Sequence, residues 1–215
     1  MQEHKSWRTA PPPVSEDMLR HQYCADVVII GAGHAGTCAA RAASEVKGTS
    51  VIVLEQQEED DMRFFGGGEI GHINSKWQAE RGMPYIDPLE FANDWQLRSN
   101  NRSNYQLIKK FAEKSGAAFD WLIEPITEEE KQSIYMKHQK GNENWPGSVN
   151  GIKTWRGAVT FGPQWLSNVM KLNIQIAVDN GAQFMYGMTA YQLVKEGDRV
   201  TGVIAEDTRG IIANL

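Results

Sequence analysis

The chain has 215 residues, 41% of them hydrophobic, enough to bury one core or one domain and part of a second, and too apolar for disorder over most of its length. With 22 basic against 27 acidic residues the net charge is −5, and neither sign is concentrated into the footprint that a nucleic acid requires. Cys24 and Cys38 form no CxxC or CxxCH pair, which leaves a disulfide framework, a thiolate metal site and c-type haem attachment without support.

The residues up to Asp26 lack the apolar core of a signal peptide, and Pro11–Pro13 read as polyproline, so 1–24 is expected to be an extended N-terminal arm and the chain to stay in the cytoplasm. The longest strongly apolar stretch, Val27 to Ile30 with its small-residue sequel, is too short and too rich in glycine to span a bilayer. A strand is expected at 26–30, a helix at about 34–45, a strand at 51–54 and then a glycine-containing connection to about residue 87. This alternation specifies a parallel sheet. Asp87 as N-cap, Pro88 and Glu90 open the next helix. The segment after Asn104 places Leu107, Ile108, Phe111, Ala112, Ser115, Phe119 and Leu122 on one apolar face, with Gly116 weakening the helix. Thr127 and Glu130 form a capping box for a short helix whose charges, Glu128 to Glu130, read as a solvated face without catalytic role. A loop rich in Trp, Gly and Asn is expected over 141–163, with Trp145 and Trp155 read, like Trp165, as core aromatics. A helix follows with Trp165, Val169, Leu172 and Ile176 as its stripe and Asn180 and Gly181 at its end. The remainder reads as a strand and hairpins turning at Glu196–Asp198 and Thr208–Gly210.

Chemistry concentrates in the first strand–helix junction. Gly31, Gly33 and Gly36 form GxGxxG directly after a strand: the first glycine allows the tight turn, the second lets a phosphate approach the backbone, and the third lets helix and sheet pack closely. Amides around Ala32 to Ala35 stand at a helix N-terminus, where an anion gains about 0.3 to 1 kcal/mol. The implied ligand group is a pyrophosphate. "SVIVLEQ" ends a second strand in Glu55, nineteen residues after Gly36; a carboxylate there accepts the hydroxyls of an adenosine ribose and repels a 2′-phosphate. FAD or NAD is therefore expected rather than NADP. His34, inside the motif, is expected to pack or hydrogen-bond beside the cofactor, since the motif uses backbone at that position.

A simple NAD domain runs from its second strand into another short βα unit, whereas this chain lays down "RFFGGGEIGHINSKW". On "DVVIIGAGHAGTCAARAASE", "VIVLEQ", "GGGEIGHINSKWQAERG", "LIKKFAEKSGAAFDWL" and "GAQFMYGMTAYQLVKEGDRVTGVIAED" the sequence resembles the flavoprotein family of fumarate reductases and succinate dehydrogenases, in particular its bacterial anaerobic members. The resemblance runs from about residue 20 onward. It implies an α/β, Rossmann-like FAD-binding domain of glutathione-reductase type over 25–215, incomplete at its C-terminus, with a parallel sheet, a helical insert and an antiparallel β-meander. By the resemblance, Gly31, Gly33, Ala35 and Gly36 receive the FAD pyrophosphate and Glu55 the ribose, with Gln56 where family members often have Lys. Gly66, Gly67, Gly68 and Gly71, leading to Asn74 and Ser75, would wrap the flavin side, and Ala190 would offer backbone groups to the adenine edge. Phe65 stands where succinate dehydrogenases attach FAD through a histidine, and His72 follows the glycines rather than leading them, so FAD is expected to be noncovalent.

The family's chemistry is hydride transfer to an activated carbon–carbon double bond of a small carboxylate, with an arginine as proton donor and further Arg and His clamping the substrate. Those residues would lie in a capping domain beyond the meander; none of Arg81, Arg98, Arg102 or Arg156 matches the catalytic arginine, and no catalytic or metal-binding residue is assigned. The expected function is thus the FAD-binding portion of a fumarate-reductase-type oxidoreductase, with a redox partner protein as a further possible partner. The alternative is a truncated FAD-binding module or subunit without activity of its own.

Overall fold

The computed structural model describes residues 14–62, 64, 69–136, 148–149, 152–153, 158–161, 165–208 and 212–215. In chain order the elements are β1 (Leu19–Gln22), β2 (Val27–Ile30), α1 (His34–Ser44), β3 (Val51–Leu54), β4 (Glu69–Gly71), α2 (Lys76–Ala79), α3 (Pro88–Arg98), α4 (Tyr105–Leu122), α5 (Glu128–Ser133), β5 (Tyr135–Met136), β6 (Ser148–Val149), β7 (Ile152–Lys153), β8 (Ala158–Thr160), α6 (Trp165–Asp179), β9 (Gln183–Met185), β10 (Met188–Glu196), β11 (Arg199–Asp207) and β12 (Ile212–Asn214). They fall into two units, Met1–Phe64 with Asn173–Leu215, and Phe65–Leu172.

The first unit carries a parallel sheet in the order β2-β3-β9 and a mixed sheet in the order β1-β12-β11-β10. Its core follows from the two-residue period of β3. Val51 and Val53 face one way, into a cluster with Ala32 and Ala40 of the α1 region and with Ala177 of α6. Ile52 and Leu54 face the other way, into a cluster with Val203 and Ala205 of β11 and Ala213 of β12. A strand buried on both faces reads as an unbroken apolar run, which is why "VIVL" shows no alternation with polar residues. The meander pairs β10 with β11 and β11 with β12, all antiparallel. Within the stretch expected as an extended arm, Leu19–Gln22 is a strand that pairs parallel with β12.

The second unit is the helical insert. Asp87 caps α3 by accepting from the amides of Leu89 and Glu90, and Asn104 caps α4 through Gln106 and Leu107. α3 and α4 bury Phe91 and Ala112 around Ile73. The expected apolar face of α4 is corrected in part: Ala112, Gly116, Phe119 and Leu122 are buried, but Leu107 is 65% exposed and Phe111 is exposed as well. The core-facing stripe is centred on Ala112 and Phe119, and Leu107 with Phe111 stands on its flank. The stripe of α6 is likewise rotated, with Leu166, Val169, Met170, Asn173 and Ala177 buried and Leu172 and Ile176 only half-buried. The connection expected from residue 55 to about 87 holds β4 and α2, and β4 pairs antiparallel with β8, which also pairs with β5. The loop expected over 141–163 contains the β6–β7 hairpin and β8. Trp145 and Trp155 lie outside the described residues, as does the side chain of Trp165.

A candidate dinucleotide-binding site

β2 ends at Ile30 and the chain turns at Gly31, whose φ of +91° is open to glycine and costs other residues about 1–2 kcal/mol. The Gly31 amide donates to the Leu54 carbonyl at 2.7 Å, so the turn starts from the sheet. Gly33 is the N-cap of α1 and brings no side chain to its first amides. These donors have no partner within the helix, and nothing lies within 4 Å of where a Cβ would stand at Gly31 or Gly33. An anion therefore has both free N–H groups and room to approach them. At Gly36 the reverse holds: a Cβ would land on the Gly31 carbonyl oxygen and 2.9 Å from its carbon. Thr37, fully buried, completes the turn by donating its hydroxyl to the Ala32 carbonyl at 2.8 Å.

Glu55 is wired directly into this turn. The residue is 7% exposed, its Oε2 accepts from the Ala32 amide at 2.8 Å, and its Oε1 accepts from the Gln57 amide at 2.9 Å. Its backbone is bracketed as well, the amide donating to the Met185 carbonyl and the carbonyl accepting from the Met188 amide. A buried carboxylate holding two amides retains lone pairs for further donors, as a ribose diol requires. It also fixes the distance between the second strand's end and the glycine turn.

In the second unit, the turn from His72 to Ser75 is held from several sides. His72 is 1% exposed and stacks on Phe119 with ring centroids 3.7 Å apart. Its Nε2 lies 2.9 Å from the Ser75 hydroxyl, which caps α2 by accepting from the Gln78 amide. Asn74, at φ 61°, pairs its side-chain amide with both the amide and the carbonyl of Ile86. The Asp120 carboxylate accepts from the Lys76 and Trp77 amides. Burial pushes the His72 imidazole down to about 4, against smaller opposing contributions from Asp120 and the Ile70 backbone. A ring neutral in the folded chain and protonated near 6.5 when unfolded stabilises fully above that value and loses its contribution as pH falls from about 6.5 to about 4. The loss is at most about 3 kcal/mol for a shift of this size. Urea midpoints measured between pH 7 and 4 should fall more steeply for the wild type than for His72→Phe; parallel slopes would refute the assignment.

Comparison with known proteins shows the family of the domain that carries this turn. The family model described as FAD binding domain matches residues 26–213. The chain belongs to this family. An NADH:fumarate oxidoreductase of Klebsiella pneumoniae (strain 342) is 26% identical over 200 residues, covering 87% of this chain and 19% of that protein. A digoxin reductase of Eggerthella lenta is 32% identical over 110 residues, covering 48% of this chain and 19% of its own length. The chain thus spans about a fifth of the length of these curated relatives. Among solved structures, the 3-ketosteroid-delta4-(5alpha)-dehydrogenase from Rhodococcus jostii RHA1 shares the fold with a TM-score of 0.67 at 20% identity, over 91% of this chain and 44% of that one. The open conformation of a flavocytochrome c3 fumarate reductase gives 0.66 at 17% identity, over 91% and 32%.

FAD is accordingly the cofactor of this domain, and the residues present fit it: free helix-terminal amides beside two unobstructed glycines, with a buried carboxylate at the end of the neighbouring strand. Of the residues expected at the site, Gly31, Gly33, His34, Ala35, Gly36 and Glu55 come together around the β2–α1 turn, and Gln56 is exposed next to them in sequence. Ala190 lies in β10, two residues beyond the Met188 amide that binds the Glu55 carbonyl. Gly71, Asn74 and Ser75 stand in the second unit, Gly71 exposed at the end of β4 and the side chains of Asn74 and Ser75 engaged as described. Phe65, Gly66, Gly67 and Gly68 lie outside the described residues. Thr37 and the Met185–Met188 bracket were not legible from the motif, because a hydroxyl one position beyond Gly36 and a strand 130 residues away carry no signature of their own.

Proposed function

We propose that these 215 residues are the noncovalent FAD-binding portion of a flavin-dependent oxidoreductase of fumarate-reductase type, acting on an activated carbon–carbon double bond of a small carboxylate. The observation that carries the reading is the direct bond from the Glu55 carboxylate to the Ala32 amide, which sets the ribose acceptor and the pyrophosphate turn in one rigid frame. When bound, FAD supplies hydride transfer; the protein's part is to hold and orient it. The amides at the start of α1 bind the diphosphate, and Glu55 the ribose. Two described arginines of the insert, Arg81 and Arg98, have other work. Arg81 lies 4.0 Å over the Trp77 ring and donates to the Trp77 and Lys131 carbonyls, and Arg98 pairs with Asp94 at 2.8 Å. We place the substrate clamp and proton donor outside these residues, where a redox partner would also act.

The folded chain should bind FAD and release all of it on denaturation; yellow colour remaining with the denatured polypeptide would exclude noncovalent binding. Glu55→Ala should weaken binding by about 1.5 to 3 kcal/mol, the range for charge-assisted hydrogen bonds. Equal affinities would remove Glu55 from the ribose. Loaded with FAD, the isolated chain should reduce dyes weakly and fumarate or acrylate no faster than free flavin, since general acid catalysis is typically worth about 10² to 10⁴-fold and no proton donor is identified among the described residues. Robust fumarate turnover would show that the chain completes its own active site.

A further inference from the structure

His34 carries a feature that packing does not explain. It is the first residue of α1, directly after the N-cap Gly33, and its Nε2 is shielded from water without a hydrogen-bond partner. The ring meets Phe64 edge-on, with centroids 5.6 Å apart. Buried polar atoms are nearly always satisfied, and one left bare lowers stability, so an apolar ring would serve that contact better. Side chains at the start of a helix lean back toward its N-terminus, which here is the end where the free amides collect.

We propose that the His34 imidazole is a cofactor-recognition residue whose Nε2–H donates to a phosphate oxygen of the bound dinucleotide. This rests on the FAD-binding reading above. The turn supplies backbone donors that any GxGxxG sequence supplies; His34 adds a side-chain donor to them. A phosphate oxygen reaches Nε2 through a change of side-chain rotamer at His34 or Phe64, an adjustment common on binding. In the bound state the orphan atom acquires its partner, so a loss in the free protein becomes a gain in the complex.

His34→Phe separates the two roles, since it keeps a ring against Phe64 and removes the donor, while His34→Gln keeps a donor without the ring. Affinities of the full chain for FAD and for ADP are measured by titration, with melting temperatures of the free proteins alongside. The expected result is a loss of about tenfold or more for both ligands in His34→Phe, as for a charge-assisted bond, with an unchanged or higher melting temperature and partial recovery in His34→Gln. Wild-type affinity for both ligands in His34→Phe would overturn the proposal, and so would loss of FAD affinity with ADP binding intact, which would move the contact to the flavin side. If His34→Phe fails to fold, His34→Gln decides: affinity for both ligands below one-hundredth of wild type would mean that the ring, not the donor, matters. Absence of FAD binding by the wild type would instead overturn the FAD-binding reading itself, and this proposal with it.

Discussion

Gly36→Ala is expected to abolish measurable FAD binding and to lower the stability of the unit that carries the site by about 3 kcal/mol or more, the upper end of what overpacking costs. The added methyl would land on the Gly31 carbonyl oxygen and 2.9 Å from the carbonyl carbon, with Ile29 Cγ2 at 3.4 Å behind. Two of these three atoms are backbone. The Gly31 peptide cannot retreat, because its amide is bonded to the Leu54 carbonyl and the next amide to the Glu55 carboxylate. The clash must therefore push α1 away from β2, and the amides proposed to receive the diphosphate move with the helix. Gly31→Ala is the useful contrast: it meets no atom within 4 Å and suffers only from its φ of +91°, so about 1–2 kcal/mol is expected with FAD binding weakened but present. Urea midpoints and flavin-fluorescence titrations of both variants check the order. A Gly36→Ala protein that binds FAD like the wild type would mean that close packing of α1 on β2 does not set the turn.

The strand, glycine turn and helix were legible because each of their signals is local. An apolar run, three glycines at fixed spacing and an acid at the end of the next strand are all read along the chain, and β2, α1 and β3 fall within a residue of where the sequence puts them. The wiring between them was not. The bond from Glu55 to Ala32 joins residues 23 apart through a side chain, and the pairing of β1 with β12 joins the two ends of the described chain; neither leaves a trace in local pattern. The insert was read less well for a different reason. α4 carries apolar residues over more than half its circumference, so periodicity alone could not choose between Ala112 with Phe119 and Leu107 with Phe111. β4 and α2 are too short to be fixed by propensity and depend on partners in β8 and on Asp120. The β6–β7 hairpin had a signal, the Asn150-Gly151 dipeptide, set in a segment whose other glycines and asparagines obscured it.

Gly116 is where the sequence reading and the structure diverge most, and it supports the second large expectation. In a helix interior, Gly to Ala normally stabilises by about 1 kcal/mol, so by propensity Gly116→Ala should strengthen α4. The structure reverses the sign. A Cβ at Gly116 would land on the Ile73 carbonyl oxygen and 2.5 Å from both the carbon and the oxygen of the Asn74 carbonyl, all backbone atoms. Nor can the 73–74 turn withdraw, since the Ile73 amide is bonded to the Ser115 hydroxyl and both ends of the Asn74 side-chain amide are bonded to Ile86. Asn74 already sits at φ 61°, a conformation that leaves little slack. Gly116→Ala should therefore destabilise the insert by about 3 kcal/mol or more, seen as a lowered urea midpoint in tryptophan fluorescence from Trp77, Trp95 and Trp121. Ala118→Gly, at an exposed position of the same helix, supplies the scale of the propensity effect alone, about 1 kcal/mol. A raised midpoint for Gly116→Ala, the result helix propensity alone would give, would show that the His72–Ser75 turn yields to α4.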